Sequence, residues 1–328
     1  MQVYKNQFCY NPYRINVGSI GFCEFDIENQ IISGAYNVFG CNESELNPKY
    51  LDALFKTKKF LDFVNEKANG GVRMDFKIES MQDWQIPLPP LEVQNEIVEK
   101  IEKQKQIIDG AGKIEKSFTI SSTLFSGDKK FFKDIVKSTQ IGLVKTVEET
   151  NKGDTEYIKM NNIQSGFIDY PNISTIQATT EEIKKYNLEN NDILLNTRNS
   201  IELVGKTAIY KKKDKKPVLF NHMLMKIKTI PEVLPEYLNY CFLSDYISEQ
   251  LNGIKKASTN IAAIYEKDLK NIFFLIPPFE IQRQIVEKLD RQMQALEGVR
   301  LLKSEAQKRI EEILAGVWSG PVKQKYEK

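Results

Sequence analysis

A mixed α/β fold, with two globular modules joined by long helices that form an antiparallel coiled coil, is what this 328-residue sequence predicts. Three observations carry the prediction. One segment occurs twice, each copy opens on a proline pair and runs into a helical apolar repeat, and short β-rich runs separated by turn residues lie between the copies.

Composition sets the frame. With 41% hydrophobic and 27% charged residues the chain can bury one or two ordinary cores. No stretch of 18 apolar residues is present, and the start MQVYKNQFCYNPYR lacks a basic segment followed by an apolar one, so a cytoplasmic location is expected. Cys9, Cys23, Cys41 and Cys241 show no CxxC spacing, and His222 is the single histidine, which argues against a disulfide framework and a zinc cluster. The 46 basic and 44 acidic residues nearly balance, so a nucleic-acid surface must come from local segregation of charge.

The repeat pairs LPPLEVQNEIVEKI at 88–101 with IPPFEIQRQIVEKL at 276–289, an offset of 188. Eight of 14 positions are identical, among them Pro89/Pro277, Glu92/Glu280, Gln94/Gln282 and Ile97/Ile285. Upstream, at an offset of 187, Pro48, Tyr50 and Leu51 answer Pro235, Tyr237 and Leu238. Asn11 answers Asn196 and Gly18 answers Gly205, so residues from about 128 to 185 have no counterpart in the first copy.

Each proline pair ends an extended segment and opens a helix whose first turn carries Glu92 or Glu280, where negative charge is favoured. In the second helix positions 285, 289, 292, 296, 299, 303, 306, 310, 313 and 317 step by fours and threes, and all but Gln292 and Lys303 are apolar (Ile285, Leu289, Leu296, Val299, Ala306, Ile310, Ile313 and Val317), a coiled-coil seam. The first helix offers Ile97, Ile101, Gln104, Ile108, Ala111, Glu115 and Phe118, weakened by Gly110 and Gly112. The residues expected to form the helix pair are therefore Ile97, Ile101, Ile108, Ile285, Leu289, Leu296, Ile310 and Ile313. Between the helices, EYIKMNNI, GFIDYP, DILLNTR, KTAIYKKK and VLFNHMLMKIKTI read as strands, while PKYLDALFKTKKFLDFVN and PEYLNYCFLSDYISEQLN read as amphipathic helices.

Catalytic signatures are incomplete. VGKT at 204–207 ends like a phosphate-binding loop, but Ser200 stands where its earlier glycine belongs. IPPF at 276–279 has the prolines and aromatic of an adenine methyltransferase motif with an isoleucine in the polar position, and NPYR at 11–14 lacks one proline. Asp154, Glu156 and Lys159 could suggest a metal-dependent nuclease, yet in a chain with 44 acids they read as a solvated face. No catalytic residue, metal or cofactor is expected.

Polar and basic residues do gather at the expected strand ends. Lys159, Asn161, Asn162 and Ser165 form one group, Asn196, Arg198, Asn199 and Ser200 a second, and Lys255, Lys256, Ser258 and Asn260 a third. The first copy offers Asn11, Arg14, Asn16 and Ser19, then Asn69 and Arg73. Asparagine matches adenine edges, arginine matches guanine edges and lysine anchors phosphates; the same residues also build turns. KKKDKK at 211–216 reads as a hairpin tip, and His222 as a core or edge histidine.

The doubled PPLEVQNEIVEKI and PPFEIQRQIVEKL signature, with YIKMNNIQSGFID, NNDILLNTRNSIELVGKTAIY, NQFCYNPYRINVGSIG and SGAYNVF, resembles the specificity subunits of type I restriction-modification systems. The resemblance implies two target-recognition modules held apart by antiparallel conserved helices, each reading half of a bipartite double-stranded DNA site. It also implies methyltransferase (modification) and restriction subunits as partners. On that reading 1–90 is the C-terminal part of a first target-recognition domain, 91–126 the first spacer helix, 127–278 a complete second domain, 279–320 the second spacer helix and 321–328 a tail. The unmatched 128–185 implies that the first domain is short of its beginning, which leaves room for a further chain that supplies the missing part, or for a non-catalytic assembly chain that binds its partners without reading a full target.

Overall fold

The computed structural model describes residues 2–26, 30–67, 75–164, 166–211, 216–258 and 261–319, and divides into two compact units. One comprises Met1–Lys116 with Leu296–Lys328, the other Ser117–Ala295. Among the described residues no helix is long and apolar enough to cross a membrane, and no group of three His, Cys, Asp or Glu could hold a metal ion.

In the first unit, β1 (Phe8–Tyr10) is the central strand of an antiparallel sheet, flanked by β2 (Ile20–Phe22) and β3 (Asn37–Phe39). Alternation turns Phe8 and Tyr10 inward, both fully buried. Helices α1 (Pro48–Phe55), α2 (Lys58–Lys67), α3 (Ile78–Gln82) and α4 (Leu91–Ser117) follow. Asn47 caps α1 by accepting from the Lys49 amide at 2.8 Å, with Pro48 in the first turn, where its missing N–H costs nothing.

The second unit begins with β4 (Asp128–Phe131), the short α5 (Phe132–Ile135) and β5 (Val136–Ile141). Then come β6 (Thr150–Ile158), β7 (Ser174–Ile176), α6 (Thr180–Tyr186), β8 (Ile193–Asn196), β9 (Arg198–Asn199), β10 (Thr207–Ile209), β11 (Val218–Phe220) and β12 (Leu224–Thr229). Helices α7 (Pro235–Phe242) and α8 (Asp245–Ile254), strands β13 (Lys256–Ala257) and β14 (Ala262–Ala263), α9 (Glu266–Leu269), β15 (Phe273–Ile276) and α10 (Phe279–Ser319) complete the chain. The sheet orders are β10-β8-β12-β5, β11-β6-β7, β13-β14-β9 and β15-β4. Ile193 and Leu195 on β8 face one core with Phe132, Tyr237 and Phe274, while Leu194 faces a second with Ile158 and Phe220.

Two strand expectations change. VLFNHMLMKIKTI is not one strand: the Asn221 side chain accepts from the Met223 amide at 2.8 Å, and this turn sends β11 and β12 into different sheets. GFIDYP contributes only isolated bridges, Ile163 to Ile168 and Gly166 to Ala208, among the described residues.

The sequence repeat is a repeat of structure. The arrangement of β2, β1 and β3 recurs as β10, β8 and β12, all antiparallel, with α1 and α2 answered by α7 and α8. Gln94 is fully buried; its Oε1 accepts from the Asn47 amide at 2.8 Å and its Nε2 donates to the carbonyls of Glu45 at 2.9 Å and Pro89 at 2.7 Å. Gln282, 1% exposed, bonds the Leu234 amide, Glu232 and Pro277 in the same way, each at 2.9 Å. Likewise the Tyr50 hydroxyl donates to the Pro87 carbonyl at 2.9 Å, and the Tyr237 hydroxyl to that of Leu275 at 2.6 Å.

Long helices α4 and α10 pack against each other within the first unit. Ile97, Val98 and Ile101 near the start of α4 share a cluster with Ile310, Ile313, Leu314 and Val317 near the end of α10. Near the end of α4, Glu115 meets Lys303 at 2.6 Å and Arg300 at 3.4 Å, so the helices run antiparallel. Ile108 is half-buried on α4, and Leu296 is buried on α10. The seam expectation needs one correction: Ile285 and Leu289 lie in the core of the Ser117–Ala295 unit, where Leu289 is 0% exposed. The hydrogen bond from Lys303 and the nearby Arg300 charge hold the Glu115 carboxyl below its usual range. Glu115→Gln should therefore cost roughly 0.5–1 kcal/mol at neutral pH, the scale of a partly solvated pair. Because the folded state favours the carboxylate, that contribution is present above the unfolded carboxyl range and disappears as pH falls through the depressed value. Denaturation of parent and variant at both pH extremes checks this: a gap that persists in acid would rule out an ionic origin.

Candidate nucleic-acid interface

Three of the expected polar groups converge in the Ser117–Ala295 unit, and main-chain hydrogen bonds bring them together. Strand β6 ends at Ile158 beside β11, and the Ile158 carbonyl accepts from the Asn221 amide at 2.9 Å, which sets Lys159–Asn162 against the turn at Asn221–Met223. The Met223 carbonyl in turn accepts from the Thr197 amide at 2.9 Å and from its hydroxyl at 2.9 Å, fixing the segment that follows β8. Next, β14 lies between β9 and β13, with Ala263 opposite both Arg198 and Lys256. A short sheet thus carries Arg198 and Asn199 on one edge strand and Lys256 on the other, across β14.

Within this group the side chains fall into two kinds. Arg198, Asn161, Lys256 and Ser258 are exposed, and Lys159, Asn199, Ser200 and Lys255 are half-buried. The Arg198 guanidinium makes no ion pair or hydrogen bond among the described residues. Lys256 is partly committed, 3.2 Å from Asp268 and 5.6 Å from the Tyr265 ring centre. Lys255 donates to the Ile201 carbonyl at 3.1 Å, and burial lowers its ammonium pKa.

Others in the candidate set are buried or bonded locally. Asn162 is 0% exposed; it accepts from the Lys159 amide at 2.9 Å and donates to the carbonyls of Asp169 and Asn172 at 3.2 and 3.1 Å. Asn196 is also 0% exposed. Both are enclosed by their own unit, Asn162 with its side chain committed to these bonds and Asn196 with its amide nitrogen and oxygen unmatched among the described residues. The Asn199 side-chain Oδ1 accepts from the Ser200 amide at 2.9 Å. Ser165 and Asn260 lie outside the described residues.

In the first unit, Asn11 accepts from the Tyr13 amide at 2.9 Å and so holds the turn after β1. Arg14 is exposed and makes no ion pair among the described residues, with half-buried Asn16 and Ser19 nearby in sequence. Asn69 and Arg73 fall outside the described residues.

Sequence reasoning missed the junction itself. Asn221 and Met223 connect the β6 and β8 ends, His222 between them donates its amide to the Leu143 carbonyl at 3.0 Å, and the Arg198 charge, after burial, helps depress the His222 pKa. It also missed the apolar surroundings: Ile201, Leu203, Ile261 and Tyr265 are 43%, 40%, 57% and 43% exposed. An Asn-His turn inside an apolar run was the available signal. Chemically, the surface offers uncommitted cations, amides and apolar side chains, the kinds of group that contact phosphates, base edges and thymine methyls.

Comparison with known proteins gives a consistent picture. Residues 128–314, more than half of the chain, match the family model "Type I restriction modification DNA specificity domain". The chain is 22% identical over 262 residues to the EcoKI type I restriction enzyme specificity subunit of Escherichia coli K12, covering 72% of this chain and 56% of that protein. Identity is 29% over 160 residues to the putative MjaX type I restriction enzyme specificity subunit of Methanocaldococcus jannaschii, covering 48% of this chain and 37% of that one. The alignments therefore span little more than half the length of the first of these relatives and just over a third of the second. A solved structure described as bearing on complex assembly and conformational transition of the type I R-M system shares the fold, with a TM-score of 0.56 at 18% identity over 96% of this chain and 82% of the other.

Proposed function

The chain belongs to the type I restriction modification DNA specificity family, and from that premise we propose that it is a non-catalytic, sequence-specific DNA-binding subunit of a type I restriction-modification complex. It directs methyltransferase and restriction subunits to a bipartite double-stranded target. The observation that carries this reading is the convergence of Lys159, Asn161, Arg198, Lys256 and Ser258 at one set of strand ends, with Arg198 exposed and uncommitted. The two recognition modules correspond to the two repeated units, and the α4 and α10 helices form the spacer on which methyltransferase subunits dock.

Selection from a random duplex library, with the chain alone and with its methyltransferase partner, supplies the target on which Arg198→Ala is measured. A bidentate contact to a guanine predicts a loss of roughly 1–3 kcal/mol and relaxed preference at one base pair. A phosphate contact predicts instead an even loss across sequences and a shallower salt dependence. Unchanged affinity and unchanged preference would remove Arg198 from the interface, and failure to select any sequence would remove the reading.

A further inference from the structure

The connection from β8 to β10 and the start of β14 meet at one surface of the Ser117–Ala295 unit. Ala262 on β14 stands opposite Asn199 on β9, so Ile261 and Ser200 are next in line on the two chain segments. A tight turn follows, in which the Leu203 and Val204 amides both donate to the Ser200 carbonyl, at 3.1 and 3.0 Å. Core residues anchor this turn. Val204 is buried among them, the Lys255 ammonium donates to the Ile201 carbonyl at 3.1 Å, and a Cβ on Gly205 (φ 95°) would stand 3.4 Å from both Ile264 and Leu251. Ile261 is fixed as well, because its carbonyl accepts from the Ser258 amide at 2.8 Å and from the Ser258 hydroxyl at 3.0 Å.

On this fixed backbone three aliphatic side chains, Ile201, Leu203 and Ile261, are exposed. Turns form most readily from Gly, Pro, Asn, Asp and Ser, so the backbone does not account for isoleucine and leucine here. Their neighbours are polar. Arg198 is exposed and uncommitted, Lys256 and Ser258 are exposed, and Glu202, the one carboxylate of the turn, is held by the Ser200 side chain in the field of Lys255. A protein partner seats on an apolar patch whose centre is depleted of charge. Single aliphatic groups set among arginine, lysine and hydroxyls match instead the major-groove edge of a duplex, where the thymine 5-methyl group is the apolar feature between hydrogen-bonding atoms. The first unit repeats the pattern on the equivalent hairpin, between β1 and β2. There the Asn11 amide donates to the Ser19 carbonyl at 3.0 Å, as that of Asn196 does to Lys206 at 2.8 Å, and Arg14 and Val17 are both exposed.

We propose that Ile201 and Ile261 form a seat for the 5-methyl group of a thymine, and that this contact specifies one base pair of the half-site read by the Ser117–Ala295 unit. The polar neighbours supply the hydrogen bonds and the charge, and the two isoleucines separate thymine from cytosine and from uracil by the methyl group alone. Burying that methyl group between two side chains that are already held in place costs little ordering of the protein. The inference rests on the DNA reading of this surface and deepens it, by naming the chemical feature of the duplex that the apolar side chains recognise.

The test uses the full chain with its methyltransferase partner on the duplex selected from the random library. Each thymine of that duplex is replaced in turn by uracil, which removes the methyl group and keeps the pairing. At one thymine the replacement should weaken binding roughly threefold to fivefold, the worth of one buried methyl group. In Ile201→Ala and Ile261→Ala chains the same replacement should cost less than about twofold, because the contact is already gone. Both side chains are exposed, so neither variant opens a core, and the uracil series is read first on the parent. The proposal is overturned if the target lacks a thymine or no uracil weakens binding, or if the penalty is undiminished in both alanine chains. It is also overturned if those chains lose the methyltransferase subunit while keeping the parent's DNA affinity, which would make a protein the occupant. Each of these results leaves the DNA reading standing, whereas a chain that selects no duplex removes that reading and this inference together.

Discussion

Replacing Leu289 by alanine is expected to cost the Ser117–Ala295 unit about 2–5 kcal/mol, the range for a leucine lost from a packed core, and Leu289→Asp should cost more because it buries an unpaired carboxylate. Leu289 is 0% exposed and packs in a cluster that includes Tyr237, Cys241, Phe242 and Phe274. Its effect should therefore appear in α7 and β15. Leu314→Ala should behave differently, because Leu314 sits with Ile101, Tyr50 and Leu54 in the other unit. Chemical denaturation gives the magnitudes, and amide hydrogen exchange gives the locations. Were Leu289→Ala to leave β15 protected while loosening residues 300–318, the placement of Leu289 in the globular core would be wrong.

That contrast shows what the sequence could reveal. The spacing of Ile285, Leu289, Leu296, Val299, Ala306, Ile310 and Ile313 reports one buried stripe along α10, and periodicity says which face is covered without saying what covers it. The first part of the stripe meets the core of one unit and the later part meets α4. The repeat itself was legible because its proline pair and helix start share eight of 14 residues, and the β2-β1-β3 plan recurs with it. The interface was legible only in outline. Asn161, Asn162, Asn196 and Arg198 look alike as polar residues at strand ends, but Asn162 and Asn196 are buried while Asn161 and Arg198 are exposed. Burial at a strand end depends on the neighbouring strands, here β10, β12 and the turn at Asn221, which are distant in sequence.

The second large effect is expected at the twin glutamines. Gln282→Ala should destabilise its unit by about 2–5 kcal/mol: it strands the Leu234 amide and the buried Pro277 carbonyl, at roughly 1–3 kcal/mol each, and leaves a small cavity. Gln282→Glu separates this cause from simple loss of volume. As a carboxylate it would face the Glu232 and Pro277 carbonyls, which the parent Nε2 supplies with donors. Protonated, it could still accept from Leu234 and donate to one carbonyl. Its folded-state pKa should therefore be raised, so the native state binds more protons than the unfolded one and stability falls as pH rises through that window. Denaturation midpoints should show Gln282→Glu close to the parent near about pH 4 and well below it near about pH 7. Gln94→Glu should behave in the same way in its own unit, because the Asn47 amide and the Glu45 and Pro89 carbonyls repeat the same three partners. A pH-independent loss in both variants would mean that shape, and not hydrogen bonding, is what the repeated glutamine supplies.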